Sequence, residues 1–254
     1  MRVLFISSGR AGRPGDVVYN QGESLKTFNV DLDYYLIKPR LFGYIISIPK
    51  LRKVYKNRNY DIAHAHYSLS GFVASVAGCR PLIVSLMGSD VFMSRLIKHI
   101  TLFFSRYIWV KTIVKSQGIK DYLKVPEAVI IPNGVNIERF KPIPQKEARS
   151  YLRISEKNKL AISIAGSKGP EKNLDLASGA VKFIGNKNII FRHIHDVDNS
   201  LIPYYLNAAD VLLLSSRWEG SVNVVKEAMA CNCPIVTTNR SEEHTSELQS
   251  PNTI

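Results

Sequence analysis

The sequence predicts an α/β protein with parallel sheets, on three observations. Short runs rich in Val, Ile and Leu alternate with stretches of helical periodicity. Polar or glycine-containing loops follow the ends of the apolar runs, as expected where parallel strands lead into ligand-binding loops. Pro142 and Pro144 flank a linker, which predicts a first domain at 1–142 and a second at 143–239.

The first domain is predicted to alternate strands and helices from its first residues. Strands are expected at 3–7, 30–37, 61–66, 82–86, 112–114 and 128–131. Helices are expected at 17–27, 44–56, 70–77, 95–107 and 118–123. A glycine-rich loop is expected at 8–15, and a Pro-Asn-Gly turn at 132–134 closes the last strand.

The second domain is predicted to begin with a helix at 145–152, followed by strands at 160–165, 189–193, 211–214 and 235–237. A doubly wound half usually has about six strands, so this domain is expected to be incomplete. The last segment, 240–254, resembles a translated sequencing adapter and is expected to be a non-native tail. We therefore expect the chain as it stands to be inactive.

Composition limits the partners. The net charge of +13 favours nucleotide diphosphates or anionic lipid surfaces. Nucleic acid is not expected, because no zinc-finger, RNP-type or basic-helix motif is present. Three cysteines predict no disulfide framework and a cytoplasmic location, and the single Cys-x-Cys pair lacks further metal ligands. The segment 95–111 mixes basic and aromatic residues, which fits either peripheral docking on an anionic membrane or a packed helix with solvated lysines.

The run from Ser216 to Ala230 contains the most specific motif. It places Glu219 and Glu227 eight residues apart, with a Gly-Ser turn after the first and an apolar helix around the second. Free amides at such a helix start favour an anionic or hydroxyl-rich ligand, and carboxylates accept hydrogen bonds from sugar hydroxyls. The alternative is an ordinary strand–loop–helix with two solvated glutamates.

This motif resembles the E-x7-E motif of family 4 glycosyltransferases, the retaining enzymes with the GT-B fold. Further stretches resemble the family in order and spacing: Asp61–His66, Gly88–Asp90, Ile131–Asn136 with Arg139-Phe140, Pro170–Asn173 and Ala208–Val211. Within the family, the chain looks most like transferases of bacterial surface polysaccharides. The resemblance implies two Rossmann-like domains facing a cleft. It also implies a nucleotide-diphosphate sugar on the second domain, a glycan or lipid-linked acceptor on the first, and no metal or other cofactor.

The resemblance also implies roles for residues of the second domain. Lys172 matches the diphosphate-binding lysine, and its ammonium would stabilise the leaving group. Lys168 stands near the place of a family arginine, although an ammonium lacks the bidentate fork of a guanidinium. Glu219 would act in catalysis by holding the donor sugar, and Glu227 would accept from the ribose. Further donor contacts are expected at Gly12, Val197, Gly220, Ser221, Val222, Asn223 and Val224.

In the first domain, the resemblance makes Asp90 the catalytic-cleft candidate, because Met87 stands where the family often has a histidine. His66 could bind the acceptor, or it could be a hydrogen-bonded structural histidine. Two other functions stay open: a nucleotide-sugar isomerase of the same fold, and a non-catalytic fragment that binds sugar nucleotides.

Overall fold

A computed structural model of the chain describes residues 1–10, 12–38, 40–88, 90, 94–165, 172–216 and 223–238. The chain divides into two compact units, Met1–Asn133 and a second that begins at Gly134. This division precedes the boundary that the sequence predicts after Pro142. The physical reason is that Phe140 lies in the core of the second unit and Ile143 packs against it.

The first unit is built on one mostly parallel sheet. Its elements are β1 (Arg2–Arg10), β2 (Arg13–Pro14), α1 (Asp16–Lys26), β3 (Asp31–Ile37), α2 (Leu41–Arg58), β4 (Ile62–His66), α3 (Ser68–Val76), β5 (Leu82–Ser85), α4 (Arg95–Tyr107), β6 (Lys111–Val114), α5 (Gln117–Leu123) and β7 (Val129–Ile130). Strands β1, β4, β5, β6 and β7 are neighbours in that order, and β3 pairs with the other side of β1. All these pairs are parallel. The predicted strands and helices of this half are confirmed, with shifts of a few residues at their ends.

The expected glycine-rich loop at 8–15 is largely a hairpin, which corrects the prediction. Strand β1 continues to Arg10, and β2 returns antiparallel to it, with Gly9 opposite Pro14. Gly12 allows this turn because its φ of 79° lies in the left-handed region that favours glycine. Close pairing also requires Gly9, where a Cβ would lie 2.6 Å from the carbonyl oxygen of Arg13.

Side chains of β1 alternate between two cores. Leu4 and Ile6 belong to the larger core, against which α2, α3, α4 and α5 pack. Val3 and Phe5 belong to a smaller core on the opposite side, together with Val18 of α1. Because a parallel sheet is covered on both faces, the central residues of its strands are largely apolar. This explains why they are visible in the sequence as short continuous apolar runs.

The second unit contains a parallel four-stranded sheet. Its elements are α6 (Gln145–Tyr151), β8 (Lys159–Ile164), α7 (Leu174–Ile184), β9 (Ile189–Ile194), a 3₁₀ turn (Asn199–Leu201), α8 (Ile202–Ala208), β10 (Val211–Leu214), α9 (Asn223–Ala230) and β11 (Ile235–Thr237). The strand order is β11-β10-β8-β9. The four predicted strands are confirmed. The sequence analysis did not assign α7 and α8.

A buried ion pair fixes the amino edge of this sheet. The guanidinium of Arg149 lies 2.7 Å from the carboxylate of Asp210, which also accepts from the amide of Leu160. Burial acts to raise the pKa of Asp210, but that amide, Lys159 and Arg149 outweigh it and hold the pKa below its usual value. The Ala208–Val211 stretch therefore has a structural role, because its Asp210 holds Arg149 and the start of β8.

None of the helices in the described ranges has both the length and the hydropathy for a membrane span.

Candidate functional site

The carboxyl edge of the second sheet gathers polar side chains. Ser215 and Ser216 follow β10 directly, and both are buried. Thr238, just after β11, donates its amide to the carbonyl of Leu214 over 3.0 Å. In open α/β sheets, ligands bind outside this edge. The structure thus places the segment leading into the Glu219–Glu227 motif at the expected end of the sheet.

Lys172 lies at the same edge. The hydroxyl of Ser215 donates to the carbonyl oxygen of Lys172 over 3.0 Å. This bond ties the loop before α7 to the end of β10, although the two residues are far apart in sequence. Lys172 is partly buried, and the neighbouring Asn173 caps α7 with a left-handed φ of 49°. The backbone that carries the candidate diphosphate ligand is therefore held by the strand that precedes the motif.

Helix α9 carries the second half of the motif. Asn223 and Glu227 are four residues apart and share one face of this helix, and both are partly buried. Val224 packs against the core of the second unit. Burial raises the pKa of the Cys231 thiol to about 11, and the Glu227 carboxylate adds to this shift.

Several predicted donor residues lie outside the described part of the chain: Lys168, Glu219, Gly220, Ser221 and Val222. Their roles stay predictions, as does the non-native character of 240–254. Of the two glutamates in the motif, only Glu227 is described.

Val197 lies at the carboxyl end of β9 and packs against the core of the second unit. The preceding His195 and Asp196 form a pair, with Nδ1 and Oδ2 2.8 Å apart. The side chain of Val197 is thus engaged in packing, and its expected contact with the base stays a prediction.

His66 is completely buried at the end of β4. Its ring stacks on His64 with centroids 4.4 Å apart, and Phe5 lies against it at 4.7 Å. Among the described residues, neither ring nitrogen of His66 has a hydrogen-bond partner. Burial lowers the pKa of His66 well below its usual value, and it lowers that of His64 to about 3. The ring presents no surface to an acceptor in this structure, and within the described ranges it lacks the hydrogen bond of the structural alternative.

Asp90 is also buried, and its carboxylate holds backbone amides. It accepts from the amide of Ser68 at 2.8 Å and from those of Met87 and Gly88 at 3.0 Å each. Burial raises the pKa of Asp90, although these amide bonds act in the opposite direction. The described contacts give Asp90 a positioning role at the start of α3. Its expected catalytic role stays a prediction.

Gly12 is exposed at the turn between β1 and β2. A Cβ at this position would meet nothing within 4 Å. Glycine is therefore favoured here by the positive φ of the turn, and not by steric crowding. The hairpin places Gly12 beyond the carboxyl end of β1, on the side where a ligand would approach this sheet.

The sequence analysis missed Tyr67, which joins β4 to α3. Its φ of 75° and ψ of 147° belong to a region that is nearly reserved for glycine. The amide of Tyr67 donates to the carbonyl of Ser85 at 2.9 Å, and Asp90 holds the next amide. The hydroxyls of Ser68 and Ser70, both buried, have no partner among the described residues. Such strain, of about 1–3 kcal/mol, clusters at functional sites, but tyrosine gives no sequence signal for it.

No group of three or more His, Cys, Asp or Glu side chains in the described ranges could hold a metal ion. At the carboxyl edge of the second sheet, the described residues instead bring together the backbone of Lys172 and the polar residues Ser215 and Thr238.

Two units with mostly parallel sheets and polar residues at the strand ends have the architecture of GT-B glycosyltransferases. Solved structures agree on the fold. HepE of Anabaena, solved with UDP-glucose, matches with a TM-score of 0.70 and 16% identity over 98% of this chain and 83% of that one. UDP-GlcNAc 2-epimerase of Methanocaldococcus jannaschii matches with a TM-score of 0.64 and 13% identity over 98% and 87%.

The chain belongs to glycosyltransferase family 4. The model described as "Glycosyltransferase Family 4" matches residues 1–139, and that of "Glycosyl transferases group 1" matches residues 146–251. A UDP-Gal:alpha-D-GlcNAc-diphosphoundecaprenol alpha-1,3-galactosyltransferase of Escherichia coli is 25% identical over 237 residues, which cover 76% of this chain and 61% of the relative. The chain thus spans about three-fifths of the length of the curated relatives it matches.

Proposed function

We propose that this protein transfers a sugar from a nucleotide-diphosphate sugar to a glycan or a lipid-linked acceptor, with retention of configuration. The observation that carries the proposal is the hydrogen bond between Ser215 and the Lys172 carbonyl. It joins, at one sheet edge, the two segments that the family resemblance assigns to the donor. The names of the similar proteins support it, since HepE binds UDP-glucose and the Escherichia coli relative uses UDP-Gal.

In the proposed reaction, the bond between the sugar C1 and the diphosphate oxygen breaks, and the acceptor hydroxyl oxygen forms a new bond to C1. The proton of that hydroxyl passes to the departing diphosphate oxygen. Negative charge grows on the diphosphate as it leaves. A preorganised ammonium and backbone amides lower the barrier because they bind this charge more strongly in the transition state. Lys172 supplies the ammonium, and no metal or other cofactor is required.

The donor roles of the two glutamates follow from the family resemblance. Glu227 on α9 accepts hydrogen bonds from the ribose, and Glu219 holds the transferred sugar. In the first unit, Asp90 holds the start of α3. His66 lies beneath the acceptor side and does not contact the acceptor.

The test is a panel of UDP-, ADP- and GDP-sugars incubated with the chain and a mixture of glycan and lipid-linked acceptors. We expect one donor to bind saturably. Release of a nucleoside diphosphate in step with a glycosylated product would show transfer directly and would overturn the expectation that the chain as it stands is inactive. The anomeric coupling of the product in proton NMR then reports retention or inversion. Absence of both release and saturable donor binding would contradict the proposal.

A nucleotide-sugar isomerase is the second candidate, because the fold also matches a UDP-GlcNAc 2-epimerase. The same panel without acceptor separates the two functions. An isomerase converts one sugar nucleotide into another and releases no nucleoside diphosphate. A transferase needs the acceptor for turnover and leaves the sugar configuration of the unused donor unchanged.

A further inference from the structure

Helix α7 exposes a row of apolar side chains along one face. Leu176, Phe183 and Ile184 are 48%, 95% and 60% exposed, although large apolar side chains are usually buried. Gly179 and Ala180, also exposed, lie between Leu176 and Phe183. Residues three, four and seven positions apart share one face of a helix. The outer face of α7 is therefore a continuous apolar stripe with its two smallest members at the middle.

The glycine in this stripe is not explained by packing within the described part of its own chain. A Cβ at Gly179 would meet nothing within 4 Å, whereas a Cβ at the helical glycines Gly22, Gly43 or Gly71 would meet another residue within 3 Å. Glycine also destabilises a helix interior relative to alanine. At an exposed position, its small size instead lets the backbone of another helix approach closely, because interaxial distances depend on the side chains at the contact.

The charges of α7 stand at its two ends. Asp175 lies in the first turn and Lys182 in the last turn, and both are exposed. Neither has an ion-pair partner in the part of the chain that the structure describes. The two residues are seven positions apart, which is close to two helical turns, so they lie on the same flank of the apolar stripe.

We propose that two copies of the chain pair through α7, with the two helices antiparallel about a twofold axis that passes between Gly179 and Ala180. This axis places Leu176 of each copy opposite Phe183 of the other, and the small residues at the axis let the helices approach. Such a contact uses the same surface of both copies and closes at two. The inference goes beyond the proposed function, because pairing requires no sugar transfer.

Charge complementarity selects a second copy as the occupant. In an antiparallel pair the same flanks meet, so Asp175 of each copy lies beside Lys182 of the other. The opposed helix dipoles also favour this arrangement. Helices α2 and α4 expose large apolar side chains as well, but neither carries Asp or Glu. Pairing through either of them would bring like charges together.

One face of α4 packs into the first unit. Phe104 lies against the large core, and Trp109, just after the helix, is buried in it, as the packed-helix interpretation of 95–111 expects. The other face exposes Leu96, Phe103 and Tyr107. Contact of this face with an anionic membrane stays a prediction, and Phe103 supplies a control for α7.

Sedimentation equilibrium tests the pairing. The contact between two single helices is smaller than the about 1,200 Å² of stable interfaces, so we expect monomers at about 1 µM and a reversible dimer at about 100 µM. Phe183→Ser should weaken the dimer about tenfold or more, because two large apolar side chains per dimer no longer leave water. Phe103→Ser on α4, which removes an aromatic ring that is 53% exposed, should leave the dimer unchanged.

Charge reversal tests the antiparallel arrangement. Asp175→Lys and Lys182→Asp should each weaken self-association about tenfold, because each variant faces two like-charged pairs across the axis. An equimolar mixture of these two variants should form a heterodimer as tight as the original dimer, since the lysines of one meet the aspartates of the other. Lys53→Glu, at an exposed position on α2, is the control and should have no effect.

Gly179→Leu separates pairing from the stability of the single chain. Leucine favours the helix over glycine, so the dilute monomer should melt about 2–4 °C higher. The added side chains at the axis should nevertheless weaken the dimer about tenfold, because they overfill a close contact. A variant with a higher melting temperature and an unchanged dimer would place the contact elsewhere and contradict the proposal.

Three further results would overturn the proposal. The first is a monomer at every concentration at which the chain is soluble. The second is a mixture of Asp175→Lys and Lys182→Asp that stays monomeric. The third is a dimer that Phe103→Ser or Lys53→Glu weakens as much as the α7 variants do. Thermal melting shows that each variant is folded. If Phe183→Ser does not fold, Leu176→Ser on the same stripe replaces it.

Discussion

At the scale of single residues, the two units use their polar side chains differently. In the second unit, Lys172 and Glu227 are partly buried, and the backbone of Lys172 is held at the carboxyl edge of the sheet by Ser215. In the first unit, His66 and Asp90 are buried, and Asp90 binds backbone. The resemblance assigns roles to both regions, and those roles stay predictions. It could not give the burial of His66, because Phe5 and His64, which cover the ring, come partly from another strand.

Lys172→Ala should reduce turnover more than donor affinity. The charge on the diphosphate rises in the transition state, so the lost interaction is greatest there, and loss of a comparable electrostatic donor slows turnover about 100–1,000-fold. Steady-state kinetics with the best donor measure kcat and KM separately. Lys182→Ala, an exposed lysine on α7, is the control and should change neither. A rise in KM with unchanged kcat would make Lys172 a binding residue only.

Glu227→Ala should weaken nucleotide-sugar binding, and Glu219→Ala should mainly slow transfer. The reason is the proposed division between ribose and sugar contacts. Loss of a charged hydrogen bond costs about 1.5–3 kcal/mol, which is roughly a 10–100-fold change in Kd. Calorimetry with the intact donor and with the free nucleoside diphosphate separates the two contacts. Unchanged binding and rate in both variants would contradict the ribose role of Glu227 and the sugar role of Glu219.

At the scale of elements, much of the fold is visible in the sequence because each parallel strand is buried on both faces. The helix α4 is predicted with the bounds that the structure has, because its apolar positions recur with helical spacing. The β1–β2 hairpin was not predicted, since it depends on close pairing of Gly9 with Pro14. Helix α8 was missed because Pro203 interrupts its first turn, a position where proline is in fact tolerated.

The stacked histidines of β4 should make the first unit sensitive to acid. The folded pKa of His64 is about 3, against an ordinary value of 6.5, and that of His66 is also lowered by burial. The unfolded chain therefore binds protons that the folded chain does not. Stability is complete above pH 6.5 and is lost as the pH falls toward 3, by at most about 1.4 kcal/mol per pH unit for each histidine.

The variant His66→Phe tests this. Neither ring nitrogen of His66 has a partner in the described part of the chain, so phenylalanine removes the proton-binding group without breaking a hydrogen bond recorded there. Urea unfolding between pH 4 and 7 should show a smaller loss of stability with acid than in the unchanged chain. His99→Gln, at an exposed position on α4, should keep the original slope. An unchanged slope in His66→Phe would show that this ring does not drive acid unfolding.

At the scale of the whole molecule, the two units have separate cores, and the residues proposed to bind the donor are nearly all in the second. Phe140 and Val135 contact the second core, so residues 134–142 should add nothing to the stability of the first unit. A fragment that ends at Asn133 should therefore melt cooperatively, at the same temperature as one that ends at Pro142. A lower melting temperature for the shorter fragment would show that residues 134–142 stabilise the first unit. The domain boundary would then lie after Pro142, as the sequence predicts.

The same fragments test where the donor binds. A sugar nucleotide at about 100 times its Kd should stabilise the unit that binds it by about 2.7 kcal/mol. We expect this shift in the full chain, which contains Lys172 and Glu227, and not in the fragment that ends at Asn133. Lys172→Ala in the full chain controls for non-specific binding to a protein with a net charge of +13. If the isolated first unit is stabilised by the same ligand, the principal nucleotide contacts lie on its own carboxyl edge, around Gly12 and Tyr67, and the assignment of the donor to the second unit is wrong.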